Sequence, residues 1–183
     1  DLIAALNAKS TAVLSDWNGS YRTTFIANNG TAVSSSTNQM TNLFVKNLEK
    51  DIRSGKIGIP AGVFSNGTLF PEKVEGFYKK DIAKSLLNTA VQSQQDFFNG
   101  KSFNSAETGP SLKSYLDDVN AVRNGQNLSA IINDQFAAIK AKNQTLNADF
   151  SQQISADNTK MIEAYDALQQ NVIYFKLDMM QAL

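Results

Sequence analysis

Six apolar residues near the C-terminus, Met161, Tyr165, Leu168, Val172, Phe175 and Met179, follow one another at alternating steps of four and three. This is a heptad seam over almost three heptads, the spacing of a helix whose apolar edge packs against other helices. Each buried side chain of this size contributes about 1.5–3 kcal/mol. The seam predicts a long helix over about 152–183 that forms the spine of a bundle rather than a dimer zipper.

Other segments carry the same period. Leu2, Leu6, Val13, Leu14 and Trp17 mark a helix over about 1–16, stopped by Asn18-Gly19. Met40, Leu43, Phe44, Leu48 and Ile52 mark a second over 37–53, closed by Gly55. Ile82, Leu86, Ala90 and Phe97 mark a third over 81–98, capped by Asn99-Gly100. Gly109-Pro110-Ser111 launches a fourth over 112–123, with Leu112, Tyr115, Leu116, Val119 and Val122 inward and Asn124-Gly125 ending it. Asn127 caps a fifth, with Ile131, Ile132, Phe136 and Ile139 inward. Between the second and third lies a Gly- and Pro-punctuated stretch, 56–71, with too many apolar residues for a free linker. It reads as an ordered loop with a tight turn at Asn66-Gly67, followed by a short helix over 72–78 that starts at Pro71. Strand patterning is scarce. The expected fold is an all-α helical bundle of about five main helices plus a short one. The whole chain, 1–183, is expected to be one bundle domain, standing alone or as one half of a larger protein.

The formal net charge is zero and only 19% of residues are charged. Asn, Gln, Ser and Thr supply about a third of the chain, a surface dressing that suits a protein outside the cytoplasm. No basic stripe marks a nucleic-acid footprint. No apolar run reaches the roughly 18 residues of a membrane span.

The chain has no Cys and no His. Disulfides, thiolate metal sites, the Ser-His-Asp triad and the His-Glu-x-x-His zinc motif therefore cannot be built from it. Ser-x-x-Lys is also absent. Gly100-Lys101-Ser102 imitates the end of a phosphate loop, but Gln95 stands where the earlier glycine belongs. No catalytic residue and no metal site are assigned. Two places have binding chemistry. Glu75 stands beside Phe77 and Tyr78, where a carboxylate and a phenol offer oxygen donors to a hard cation or a polar ligand. Trp17, Tyr21, Arg22 and Phe25 cluster where the first helix ends, an arrangement suited to cation–aromatic contact.

The order of these features resembles the second half of imelysin-like proteins. Trp17, Tyr21-Arg22 and Phe25 come first, then Ile57-Gly58-Ile59-Pro60-Ala61-Gly62. Val74-Glu75-Gly76-Phe77-Tyr78, Phe97-Phe98-Asn99-Gly100 and Gly109-Pro110-Ser111-Leu112 follow. The family's corresponding stretch reads Val-Glu-Ser-x-Tyr-Ser, Tyr-x-Gly and Gly-Pro-Ser-Leu, so Gly76 and Lys79 depart from it. The resemblance implies a pair of helical bundles in a bacterial periplasmic or cell-surface lipoprotein linked to iron uptake. The family is described as metallopeptidases, with a Gly-x-His-x-x-Glu signature in the other half. It implies that this chain is the non-catalytic half of a ligand- or metal-uptake protein, with Glu75 and Tyr78 as ligand-binding positions; the alternatives are the supporting half of a metallopeptidase and a plain helical scaffold or adhesion module. It further implies iron or another divalent metal in the full-length protein, the N-terminal half as partner, and membrane attachment through an upstream lipid anchor.

Overall fold

The computed structural model describes residues 1–30 and 32–182. It is all-α, with one two-stranded hairpin among the described residues. The chain divides into two compact units, 1–44 and 45–183.

In the first unit, α1 (Leu2–Asp16) is capped by the Asp1 carboxylate, which accepts from the Ile3 N–H at 3.0 Å. Asn18-Gly19 does not stop the helix as the sequence predicts. Gly19 leaves helical geometry (φ −84°, ψ −131°), and the chain resumes as α2 (Arg22–Ala27). A single residue without a Cβ absorbs the kink, so the axis bends instead of ending. The apolar residues Leu2, Leu6, Val13 and Leu14 are exposed. The following loop is closed by Asn28, whose Nδ2 donates to the Ser34 carbonyl at 2.9 Å and whose own carbonyl accepts from the Ser36 hydroxyl at 2.9 Å. Helix α3 (Ser36–Lys46) begins there.

The second unit is a four-helix bundle. Its members are a π-wound segment (Asn47–Gly58), α4 (Ala83–Phe98), α6 (Leu128–Gln144) and α7 (Phe150–Ile173). The π-wound segment packs on α7, α7 on α6, α6 on α4, and α4 back on the π-wound segment. The six seam residues of 161–179 are all buried. Phe98, Phe136 and Phe175 meet at centroid distances of 5.8–6.4 Å and anchor one end of the core.

Several boundaries differ from expectation. The last helix is broken at Asp157 (φ −157°, ψ 85°). There the Asp157 carboxylate accepts from the Thr159 N–H at 3.2 Å, and its carbonyl accepts from Gln153 Nε2 at 2.7 Å. Aspartate competes for backbone donors and so restarts the helix as a cap. The fourth helix is short: α5 (Leu112–Asp118), opened by a Ser111–Ser114 capping box. Val119 and Val122 are exposed. Asn124-Gly125 is the tip of a hairpin, β1 (Val122–Arg123) with β2 (Gln126–Asn127), in register Val122–Asn127 and Arg123–Gln126. Both tip residues have positive φ, 52° and 78°, as a two-residue type I′ turn requires. Asn66-Gly67 makes the expected turn, with φ 51° and 83° and the Thr68 N–H donating to the Ser65 carbonyl at 3.0 Å. The short helix reduces to a single turn, Pro71–Lys73.

In α4 the buried stripe is Ala83, Leu87, Val91, Gln94 and Phe98, one residue out of phase with the predicted one, and Phe97 is exposed. The true stripe contains a glutamine, which weakens its apolar signal in the sequence.

Candidate functional site

The motif segments that carry the family resemblance are largely structural. Gly58 lies against two rings: a Cβ there would stand 2.7 Å from Tyr165 and 2.8 Å from Phe64. The Asn158 amide donates to the Ala61 carbonyl at 3.0 Å, and the Phe70 N–H donates to the Pro60 carbonyl at 2.9 Å, pinning the loop to the bundle. Gly100 takes φ 69°, and a Cβ there would overlap the Gly109 carbonyl. The Gly109 N–H donates back to the Gly100 carbonyl at 2.8 Å, so Phe97-Phe98-Asn99-Gly100 and Gly109-Pro110-Ser111-Leu112 clasp each other.

Glu75 is different. It lines a half-open cleft of about 430 Å³ together with Asn47, Asp51, Ile52, Gly55, Lys56 and Ala90. The winding of 47–58 builds this wall. In an α-helix of 3.6 residues per turn, Asn47 and Lys56 would lie about two and a half turns apart and face opposite sides. With five-residue hydrogen bonding, as in the Ile59 N–H donating to the Ser54 carbonyl at 2.8 Å, the winding is wider and both reach the cleft. The Lys56 ammonium pairs with the Glu75 carboxylate, joining the helical wall to the 71–78 segment. On the same wall Asn47 Nδ2 donates to Asp51 Oδ2 at 3.0 Å, and Gln94 of α4 donates to Asn47 Oδ1 at 2.6 Å.

The other predicted residues lie elsewhere. Gly76 adopts φ 71° with Ile82 where a Cβ would sit, so the Gly in place of the family's Ser permits this turn. Beyond it Tyr78 is 99% exposed, with the Phe77 ring against it at 5.5 Å; it does not line the cleft. In the first unit Trp17, Tyr21 and Phe25 form a ring ladder with centroids 5.4–6.2 Å apart. Arg22 is exposed beside them; the Arg–aromatic stacks among the described residues are Arg53 on Tyr165 and Arg123 on Tyr174.

Asn47, Asp51, Lys56 and Gln94 were not singled out from sequence. The 3.6-residue period puts Asn47 and Asp51 on one face but Lys56 on the opposite side from Asn47, and Gln94 is a polar residue that the predicted apolar stripe passes over. The Asn47–Asp51 spacing of four was the one readable sign of a side-chain pair.

Among the described residues no three His, Cys, Asp or Glu side chains gather into a metal-holding group, and no helix is long and apolar enough to cross a membrane. The fold and cleft define an all-α bundle protein with a small cleft that carries charges of both signs. Its sequence matches the Imelysin family (Peptidase_M75) over residues 1–173, and the chain belongs to that family. No curated protein and no solved structure matches it.

Proposed function

We propose that this chain is the non-catalytic half of an extracytoplasmic imelysin-type protein that binds a ligand or metal, iron foremost, for uptake. The observation that carries this reading is the cleft, where Asp51 and Glu75 converge from separate segments beside Lys56. Its donors are carboxylate oxygens, which suit hard ions and their complexes better than soft ones. Family membership and a surface rich in neutral polar residues support a place in the periplasm or on the cell surface, reached through a lipid anchor upstream. The N-terminal half of the same protein is the natural partner, supplying the histidine and glutamate of the family signature.

The test is calorimetric titration of the full-length protein with ferric citrate, alone and as Asp51→Asn and Glu75→Gln. Stoichiometric binding weakened by either substitution supports the reading. Unaltered binding in both variants removes the cleft from it. The family's peptidase label favours a competing role as the supporting half of a hydrolase, and metal-dependent peptide cleavage by the full-length protein would decide for that.

A further inference from the structure

The cleft's carboxylates are not equivalent. Glu75 is already matched by Lys56. Asp51 has no ammonium partner among the described residues; its Oδ2 is held by the Asn47 amide. A primary amide can present either its oxygen or its NH2 to a neighbour, and only the NH2 suits a carboxylate. What fixes Asn47 is a residue from another helix. Gln94, 7% exposed on the buried stripe of α4, donates to Asn47 Oδ1. That bond assigns the Asn47 oxygen to α4 and turns its NH2 toward Asp51. A glutamine amid Leu87, Val91 and Phe98 gives up apolar burial, and its own Oε1 is buried without a partner, a cost that packing does not repay.

We propose that Gln94 is a positioning residue of this cleft: acting through Asn47, it presets the Asp51 carboxylate to receive the cationic part of a ligand, either a hard metal ion or an organic ammonium. The proposal rests on the reading of the cleft as a ligand site. Asp51 supplies the uncompensated negative charge, while Glu75 can join only by exchanging Lys56 for the incoming cation. Outer residues that orient a ligating group typically control affinity by about 10- to 100-fold; Asn47 holds that place for Asp51, and Gln94 acts through it.

The experiment titrates the full-length protein with terbium(III), followed by its luminescence, and with 1,4-diaminobutane, followed by calorimetry. The two probes separate a metal site from an ammonium site. Four proteins are compared with the parent: Asp51→Asn, Asn47→Ala, Gln94→Met and the Asn47→Ala/Gln94→Met pair. Gln94→Met keeps the volume and removes the donor. Asn47 is exposed, so Asn47→Ala carries the same test should the buried variant melt early by circular dichroism. The expected result is binding of one probe, weakened about tenfold or more by Asp51→Asn, Asn47→Ala and Gln94→Met, with the pair no weaker than Asn47→Ala alone. That non-additivity marks action through Asn47, which a purely structural role of Gln94 would not produce. If Asp51→Asn weakens binding while Gln94→Met and Asn47→Ala do not, or if their effects add, the relay is wrong and the ligand site stands. If neither probe binds the parent, or Asp51→Asn changes nothing, the ligand reading falls and the relay with it.

Discussion

Arg53 sits over the Tyr165 ring, its guanidinium carbon 3.6 Å from the centroid, and its Nε donates to the carbonyl of the same tyrosine at 3.3 Å. The contact joins the π-wound segment to the central helix of the bundle. The other face of this junction is tight: Phe64 meets the Tyr165 ring edge-on at 6.2 Å, and Gly58 leaves no room for a methyl group. Tyr165→Ala is expected to cost about 3–5 kcal/mol, the scale of large aromatic deletions in a core. Gly58→Ala is expected to cost about 1–3 kcal/mol from overpacking. Adding Tyr165→Leu to Gly58→Ala should recover part of that loss. Urea denaturation of the two single variants and the pair measures the coupling; strict additivity would show that Gly58 does not make way for the ring.

The Gly100 clasp separates backbone strain from steric overlap. Gly100 and Gly125 both have positive φ, but a Cβ at Gly125 meets open space while one at Gly100 meets the Gly109 carbonyl and Ser111. Gly125→Ala should cost about 1 kcal/mol, the left-handed penalty alone. Gly100→Ala should cost measurably more, since it also forces the two motif loops apart. Equal melting temperatures for the two variants would mean that the clasp yields freely.

The helical class and the spine were legible because they rest on repetition. Six residues at heptad spacing are hard to place anywhere but a bundle interior, and all six are buried. The cleft was legible only at Glu75, a carboxylate beside two aromatic residues that the family resemblance marks as well. Its helical wall depends on a change of winding after Lys46 that leaves no mark in a 3.6-residue pattern. Asn124-Gly125 illustrates a different loss. Asn-Gly stops a helix or turns a hairpin, and with strands of two residues each there is no alternation to choose between them. Gln94 was hidden because tertiary packing buries a polar side chain that local pattern assigns to the surface.

Val172, 1% exposed in the middle of the seam, gives the most severe expected substitution. Val172→Asp buries a carboxylate in the seam between Leu168 and Phe175, themselves fully buried, and an unpaired buried charge is among the few changes that exceed about 4 kcal/mol. Loss of the cooperative transition by circular dichroism at 222 nm is expected. A variant that melts like the parent would place the seam at the surface.

Acid stability should depend on Asp117. Lys113 Nζ reaches its carboxylate at 2.6 Å, the Ser129 hydroxyl donates at 2.6 Å and Asn127 Nδ2 at 3.2 Å. The Lys113 and Ser129 hydrogen bonds outweigh partial burial and hold its pKa below the ordinary 3.8. A carboxyl whose folded pKa is depressed adds stability that is fully present above its unfolded value and disappears as pH falls through the folded one. Asp117→Asn should therefore be less stable than the parent at pH 7, with the gap closing below about pH 4. Asp149, the cap of α7, behaves alike: burial raises its pKa, but donation from the Ser151 hydroxyl and the Gln152 and Ser151 N–H groups prevails and lowers it. Urea midpoints measured from pH 2 to pH 7 test both; a constant gap across that range would show that neither charge is linked to folding.

Zinc tests the proposal that the metal-binding groups lie outside this chain. Zinc sites draw on imidazole and thiolate, with carboxylates in support, and this chain has no histidine or cysteine. Asp51 and Glu75 offer two carboxylates at most, and Glu75 is engaged with Lys56, so a bound ion would keep most of its water. Calorimetry of residues 1–183 alone is expected to give zinc affinity no tighter than about millimolar, because two oxygen donors form no closed four-ligand site. Under the proposed function, a longer protein that adds the family's Gly-x-His-x-x-Glu should bind zinc more tightly. Stoichiometric micromolar binding by this chain alone would mean that its carboxylates assemble a site by moving, and equal affinity in the two proteins would count against the proposal that a histidine-bearing segment supplies the ligands.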